Sequence, residues 1–289
     1  MSRYKPGKGL EVLVHNSFIG EISALKPGNV SQYADGHGMS FSDFVVSADV
    51  TTPILCNETL CVGEKVFYSV EATKNKVGCN TNLGMILLFS PLIKSYESKS
   101  NKVFLQSDLE YVLKHLTNVD AELVYQAISL ANPGGLGRLE QHDVNNSPDI
   151  SLLEAMTEAA DRDLIAKQYI SNYEDVYKLG LNCLSEFDKR WNSVEWATVA
   201  CYLTYMASFP DSHIRRKFGD EIARQVQKRA VSVMEQFKNN NNPAKSKSSL
   251  LEYDKELKDS NINPGTSADL TAASLLLYGL TTKQNLKSG

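Results

Sequence analysis

SLLEAMTEAADRDLIAKQYI, residues 151–170, sets the reading of the whole chain. Turned at about 100° per residue, Leu152, Met156, Ala159, Asp163, Lys167 and Ile170 fall on one narrow stripe. Glu154, Glu158 and Asp161 lie opposite, which is the pattern of a helix with one face toward a core. The same spacing recurs outward in both directions, and period-two alternation bounded by turns is scarce. The pattern predicts helices over 9–24, 40–55, 62–75, 82–97, 106–115, 118–131, 151–170, 172–188, 194–208, 212–238, 248–258 and 267–281. An all-α protein of about eleven or twelve helices follows. Ser40 with Asp43, Thr117 with Asp120 and Thr266 with Asp269 each place a hydroxyl three residues before a carboxylate, the spacing of a capping box.

The polar stretch NNNNPAKSKSS (239–249) reads as a surface loop rather than a boundary. The forty residues after it end in TSADLTAASLLLYGL, which is too apolar to stand alone in water. The expected organisation is a tail over 1–8, one helical catalytic domain over 9–282 and a second tail over 283–289. At roughly 100–200 residues per domain, 289 residues suffice for one large core.

Composition narrows the classes. With 30 Lys+Arg, 34 Asp+Glu and a net charge of −4, the chain has no basic excess to track nucleic acid or an anionic membrane. Its apolar runs are too short to span a bilayer. Five cysteines without a C-x-x-C signal neither a disulfide framework nor a zinc ribbon, and they suit a reducing cytoplasm. The five histidines have no metal-ligand spacing, and no Walker A, G-x-G-x-x-G or G-x-S-x-G motif is written.

Four segments share a pattern: KPGN (26–29), NTNLG (80–84), PGGLG (133–137) and NPGTSAD (263–269). Each is a Gly- or Asn-rich turn beside an apolar helix. Such residues also simply punctuate helices, but helix N-termini that converge would cradle phosphates. Lys26 adds a cation, Gly28 and Gly135 allow close backbone approach, and Asn29, Asn80, Thr81 and Asn82 add polar contacts. Arg216 and Lys217 stand near the start of the helix predicted at 212–238, where cations oppose the macrodipole unless an anion is bound. Asp211, Asp220 and Glu221 allow the plainer reading of a solvated, balanced cluster. Asp163 is a carboxylate on a face suited to burial, either paired with Lys167 or available as a base or metal ligand. Asp269 is a second metal candidate, and His142 with Asp143 are further catalytic candidates.

In order along the chain, KPGNV, SFSDFVVSA, NTNLG, PGGLG, HDV, LLEAM with DRD, PDSHIRRKFG and NPGTSADL resemble the triphosphoribosyl-dephospho-CoA synthase family from about residue 10 to 281. The resemblance implies an all-helical enzyme that joins the ribose of ATP to the 2′-hydroxyl of 3′-dephospho-CoA. Adenine leaves and the triphosphate is kept. It also implies Mg²⁺ with the nucleotide and small-molecule substrates only, with a homo-oligomer an open expectation. In the citrate lyase and malonate decarboxylase branches the central motif reads NTHKG or NTHRG, whereas residues 80–84 here read NTNLG. A related cofactor precursor of a pterin or furan C1-carrier pathway is therefore a second candidate acceptor. A nucleotide-dependent kinase or ligase and a non-catalytic helical nucleotide sensor would use the same phosphate-binding residues.

Overall fold

The computed structural model describes residues 9–97, 104, 106–132 and 149–285. The first helices are α1 (Leu10–Ser23), α2 (Phe41–Leu55), α3 (Val62–Val77), α4 (Leu83–Glu97), α5 (Gln106–Lys114) and α6 (Asn118–Ala131). Next come α7 (Leu152–Ala159), α8 (Leu164–Ile170), a π-helical turn (Val176–Leu181), α9 (Asn182–Trp191) and α10 (Val194–Ser208). The last are α11 (Ser212–Phe218), α12 (Asp220–Lys238), a 3₁₀ turn (Pro243–Ser246), α13 (Lys247–Asp259) and α14 (Gly265–Asn285). No strand occurs among the described residues, which carry two isolated bridges, Ser31 with Ala34 and Gly36 with Met39. The all-α expectation is met with two more helices than the upper expectation.

The surplus has a local cause. The helix expected over 151–170 breaks at Asp163, whose carboxylate accepts from the Ile165 and Ala166 N–H groups at 2.8 and 3.1 Å and so begins a new helix. A short acceptor side chain competes with the helix's own carbonyls for these donors. The helix expected over 212–238 breaks at Gly219, at φ 89°, into α11 and α12. The polar stretch at 239–249 holds the 3₁₀ turn and the start of α13, and Pro243 and Ser246 are buried.

Contacts divide the chain into two compact units, the first of residues 1–16, 45–174 and 279–289 and the second of 17–44 and 175–278. In the first, α4 is the central rod, with Ile86, Leu88, Phe89, Leu92 and Ile93 fully buried. Pro91 lies inside it and has no N–H for the Leu87 carbonyl one turn back. Tyr169 supplies the missing donor, its hydroxyl bonding Leu87 O at 2.7 Å, and Tyr173 bonds Leu88 O at 2.9 Å. Both tyrosines are essentially unexposed, so the Leu87 carbonyl stays satisfied without water.

In the second unit α10 packs against α9 and α12. Gly180 in the π-helical turn is needed for close approach, because a Cβ there would lie within 2.4 Å of the Tyr205 hydroxyl and closer still to Ser274 Oγ. Ile22, Val30 and Phe44, with Met39 and Phe41, form a small core beneath residues 24–31, all of which are buried.

Candidate active site

KPGN, NPGTSAD and the PDSHIRRKFG motif belong to the second unit, and hydrogen bonds join them. The KPGN turn closes through Asn29 N–H to Lys26 O at 3.0 Å, with Gly28 at φ 81°. Only glycine suits that position, since a Cβ would meet Leu257 Cδ1 at 2.8 Å and Pro264 Cδ at 2.9 Å. Both polar backbone groups of Gly28 are engaged. Its N–H donates to Asp254 Oδ1 at 2.8 Å, and its carbonyl accepts from His37 Nε2 at 2.8 Å. The Tyr202 hydroxyl donates to Pro27 O at 2.7 Å. Asn29 Nδ2 donates to Asn263 Oδ1 at 2.7 Å, linking the turn to the segment that opens α14.

Lys26 is 0 % exposed and forms an ion pair with Glu21, also 0 % exposed. Its ammonium also donates to Asn29 Oδ1 at 2.6 Å and Val30 O at 2.8 Å. Burial pushes the Glu21 carboxyl up and the Lys26 ammonium down, while their mutual attraction opposes both shifts. Asp269, the fifth residue of α14, adds attraction to Lys26. With three donors directed to three acceptors, Lys26 faces protein on every side.

Asp211 ties α11 to α14. One carboxylate oxygen accepts from the His213 and Ile214 N–H groups at 2.9 and 3.2 Å, capping α11. The other accepts from Ser267 N and Ser267 Oγ at 2.7 and 2.8 Å in the first turn of α14. Burial pushes this carboxyl up, against four donors that favour its charge. Thr266 Oγ1 accepts from His213 N–H at 3.2 Å, so Thr266 lies inside α14 facing α11 rather than forming the expected capping box with Asp269. The other two boxes are present, at Ser40 with Asp43 and Thr117 with Asp120.

Arg215, Arg216 and Lys217 occupy the last turn of the seven-residue α11, not the start of a long helix. Cations there complement the macrodipole, so the conflict expected from the sequence does not arise. Arg215 pairs with Asp220 at 3.2 Å, and Lys217 lies over the Phe218 ring at 5.2 Å. Burial first, then the charges of Arg216, Lys217 and His37, push the His213 imidazole down to about 4, so the ring is neutral at neutral pH. Its Nδ1 stands 3.1 Å from where a Cβ on Gly265 would be. Arg216, Lys217 and His37 thus act on one partly buried imidazole that packs against Gly265 at the start of α14.

NTNLG belongs to the first unit. Asn80 Oδ1 accepts from Leu83 N–H at 3.2 Å and starts α4. Thr81 Oγ1 and Ser47 Oγ lie 2.6 Å apart, and Thr73 donates to Asn82 Oδ1 at 3.2 Å. Asn82 Nδ2 is buried without a hydrogen-bond partner beside a small recess lined by Val70, Thr73, Lys74, Asn80 and Ala131. Asp163 is the cap of α8, so the stripe that suggested a buried carboxylate on a continuous helix does not exist. Gly135, His142 and Asp143 lie outside the described residues. Among the described residues no three His, Cys, Asp or Glu side chains form a metal-holding group.

Glu21, Asp254 and Tyr202 are unmarked in the sequence, where Asp211 reads only as a balancing charge. The Asp211 signal was legible, since Pro-Asp-Ser before a helix is a capping sequence. Glu21, Asp254 and Tyr202 sit on helices outside the turn they hold, with no motif of their own to mark them.

The fold is helical, without strands among the described residues, and the last turn of α11 carries Arg215, Arg216 and Lys217. The sequence profile of the ATP:dephospho-CoA triphosphoribosyl transferase family matches residues 8–288, and the chain belongs to that family. It is a transferase with triphosphoribosyl-dephospho-CoA synthase activity. A crystal structure from Archaeoglobus fulgidus, under the provisional name triphosphoribosyl-dephospho-CoA synthase, shares the fold. It has a TM-score of 0.62 and 24% identity over 82% of this chain and 98% of that one. No protein of curated function matches the chain.

Proposed function

We propose that the triphosphate of ATP is bound in the second unit by the first turn of α14, with Arg216 and Lys217 as its cations. The observation that carries this reading is the Asp211 tie, which fixes the cation-bearing α11 against the start of α14, the longest helix among the described residues. The positive end of the α14 dipole favours phosphate. In the reaction the N9–C1′ bond of ATP breaks and the 2′-oxygen of 3′-dephospho-CoA bonds to C1′. The hydroxyl proton passes to a base, adenine leaves with a proton, and the triphosphate stays on the transferred ribose. Mg²⁺ enters with ATP. A nucleotide-bound Mg²⁺ would need only one or two protein carboxylates, and the partly exposed Asp269, the fifth residue of α14, would suit that task. No helix among the described residues is long and apolar enough to cross a membrane, and these soluble substrates suit a cytoplasmic enzyme.

The test is turnover of ATP, Mg²⁺ and dephospho-CoA followed by chromatography of the bases and nucleotides. Free adenine in step with the triphosphoribosylated product is expected. Arg216→Ala and Lys217→Ala should each raise the KM for ATP by about tenfold, with a penalty that shrinks as salt rises. ADP or AMP in place of adenine, or turnover indifferent to both substitutions, would defeat the reading.

A further inference from the structure

Lys26 is the only cation in the KPGN turn, yet no face of it is open to a ligand. A buried ion pair is weak support for stability, because desolvation offsets its attraction. Glu21 Oε2 is itself buried without a hydrogen-bond partner. Fixing orientation explains the pair better. A carboxamide can present either its oxygen or its nitrogen, and an ammonium can only donate. Lys26 Nζ at 2.6 Å therefore fixes the Asn29 oxygen toward itself, which turns Nδ2 toward Asn263. Asn263 must then show its own oxygen, at 2.7 Å. One charge orients two amides in series, and the second lies two residues before the start of α14.

We infer that Lys26 and Asn29 are positioning residues: Lys26 orients Asn29, Asn29 orients Asn263, and Asn263 sets the first turn of α14. Glu21 neutralises the ammonium so that it can remain buried. Tyr202 on Pro27 and Asp254 on Gly28 hold the turn from outside the relay. The inference deepens the proposed phosphate site at α14 and rests on it. Without Lys26 both amides lose the cue that distinguishes their two ends, and the triphosphate meets a misplaced turn.

A double-mutant cycle separates this relay from direct phosphate contact. Lys26→Met, Asn29→Leu and the double variant are compared in the adenine-release assay and by the backbone amide resonances of Thr266 and Ser267. The relay predicts that each single variant raises the KM for ATP by about tenfold while kcat stays within about threefold. The double variant should be no worse than the poorer single, and both resonances should move in all three. Losses that add, or an Asn29→Leu variant with unchanged KM beside an impaired Lys26→Met, would overturn the relay in favour of direct contact. Lys26→Met leaves Glu21 buried and unpaired, so E21Q/K26M provides a second variant that removes both charges, with the same KM rise expected. If the wild type releases no adenine, the proposed function fails. The Thr266 and Ser267 resonances would still decide the relay, and their failure to move would refute it.

Discussion

Replacing Asp211 by Ala removes an acceptor shared by two helices. Four hydrogen bonds end on this carboxylate, two from the start of α11 and two from Ser267 in the first turn of α14. Losing an N-cap costs about 1 kcal/mol and up to about 2, and here two caps are lost together. Asp211 is only 3 % exposed, so water cannot readily replace it, and the orphaned donors carry their own penalty. Against this, the variant relieves the desolvation that pushes the carboxyl up. The expected loss is therefore about 2–4 kcal/mol, roughly 30- to 1,000-fold in the unfolding constant. Asp211→Asn should lose about half as much, since one amide oxygen can serve one helix while the amide nitrogen faces the other's donors. Both tryptophans, Trp191 and Trp196, belong to the same unit as Asp211, so urea unfolding followed by their fluorescence reads this unit. Ser267→Ala should cost about 1 kcal/mol, and its effect should largely vanish in the Asp211→Ala background. A loss below about 0.5 kcal/mol for Asp211→Ala, or an Asn variant as stable as wild type, would refute the shared-cap reasoning.

His213 provides a pH test. Its pKa is lowered to about 4 in the fold, below its ordinary value of 6.5, so its contribution is fully present above 6.5. As pH falls from 6.5 toward 4 the unfolded chain takes up the proton first, and up to about 3 kcal/mol is lost. His213→Asn should flatten that part of the stability profile measured by urea titrations between those limits. Gly28→Ala combines an unfavourable positive φ with contacts under 3.0 Å and should cost about 2–4 kcal/mol, read from the urea midpoint, and weaken ATP turnover. Tyr169→Phe should cost about 1–3 kcal/mol by leaving Leu87 O without its donor, with adenine release unchanged once the variant is folded.

Composition and periodicity determined that the chain is helical and where most helices lie, because apolar spacing at 3.6 residues is a local property. α6 and α10 run over the residues their patterns marked. The order of the short motifs determined the family. The breaks at Asp163 and Gly219 were decided by single residues within strong apolar patterns, where a capping carboxylate or a positive φ outweighs periodicity. Roles at the site depended still more on the fold. Lys26 in the sequence is a cation beside a glycine-containing turn, equally fit for a phosphate or for a buried carboxylate. Glu21, just over one helical turn upstream, and Asn263, more than two hundred residues downstream, decide between them. Arg216 and Lys217 keep their charge in any reading, but only the end of α11 turns them from an electrostatic conflict into a favourable helix terminus. Propensity and spacing are written residue by residue, whereas the partner of a buried charge is fixed only when distant segments pack.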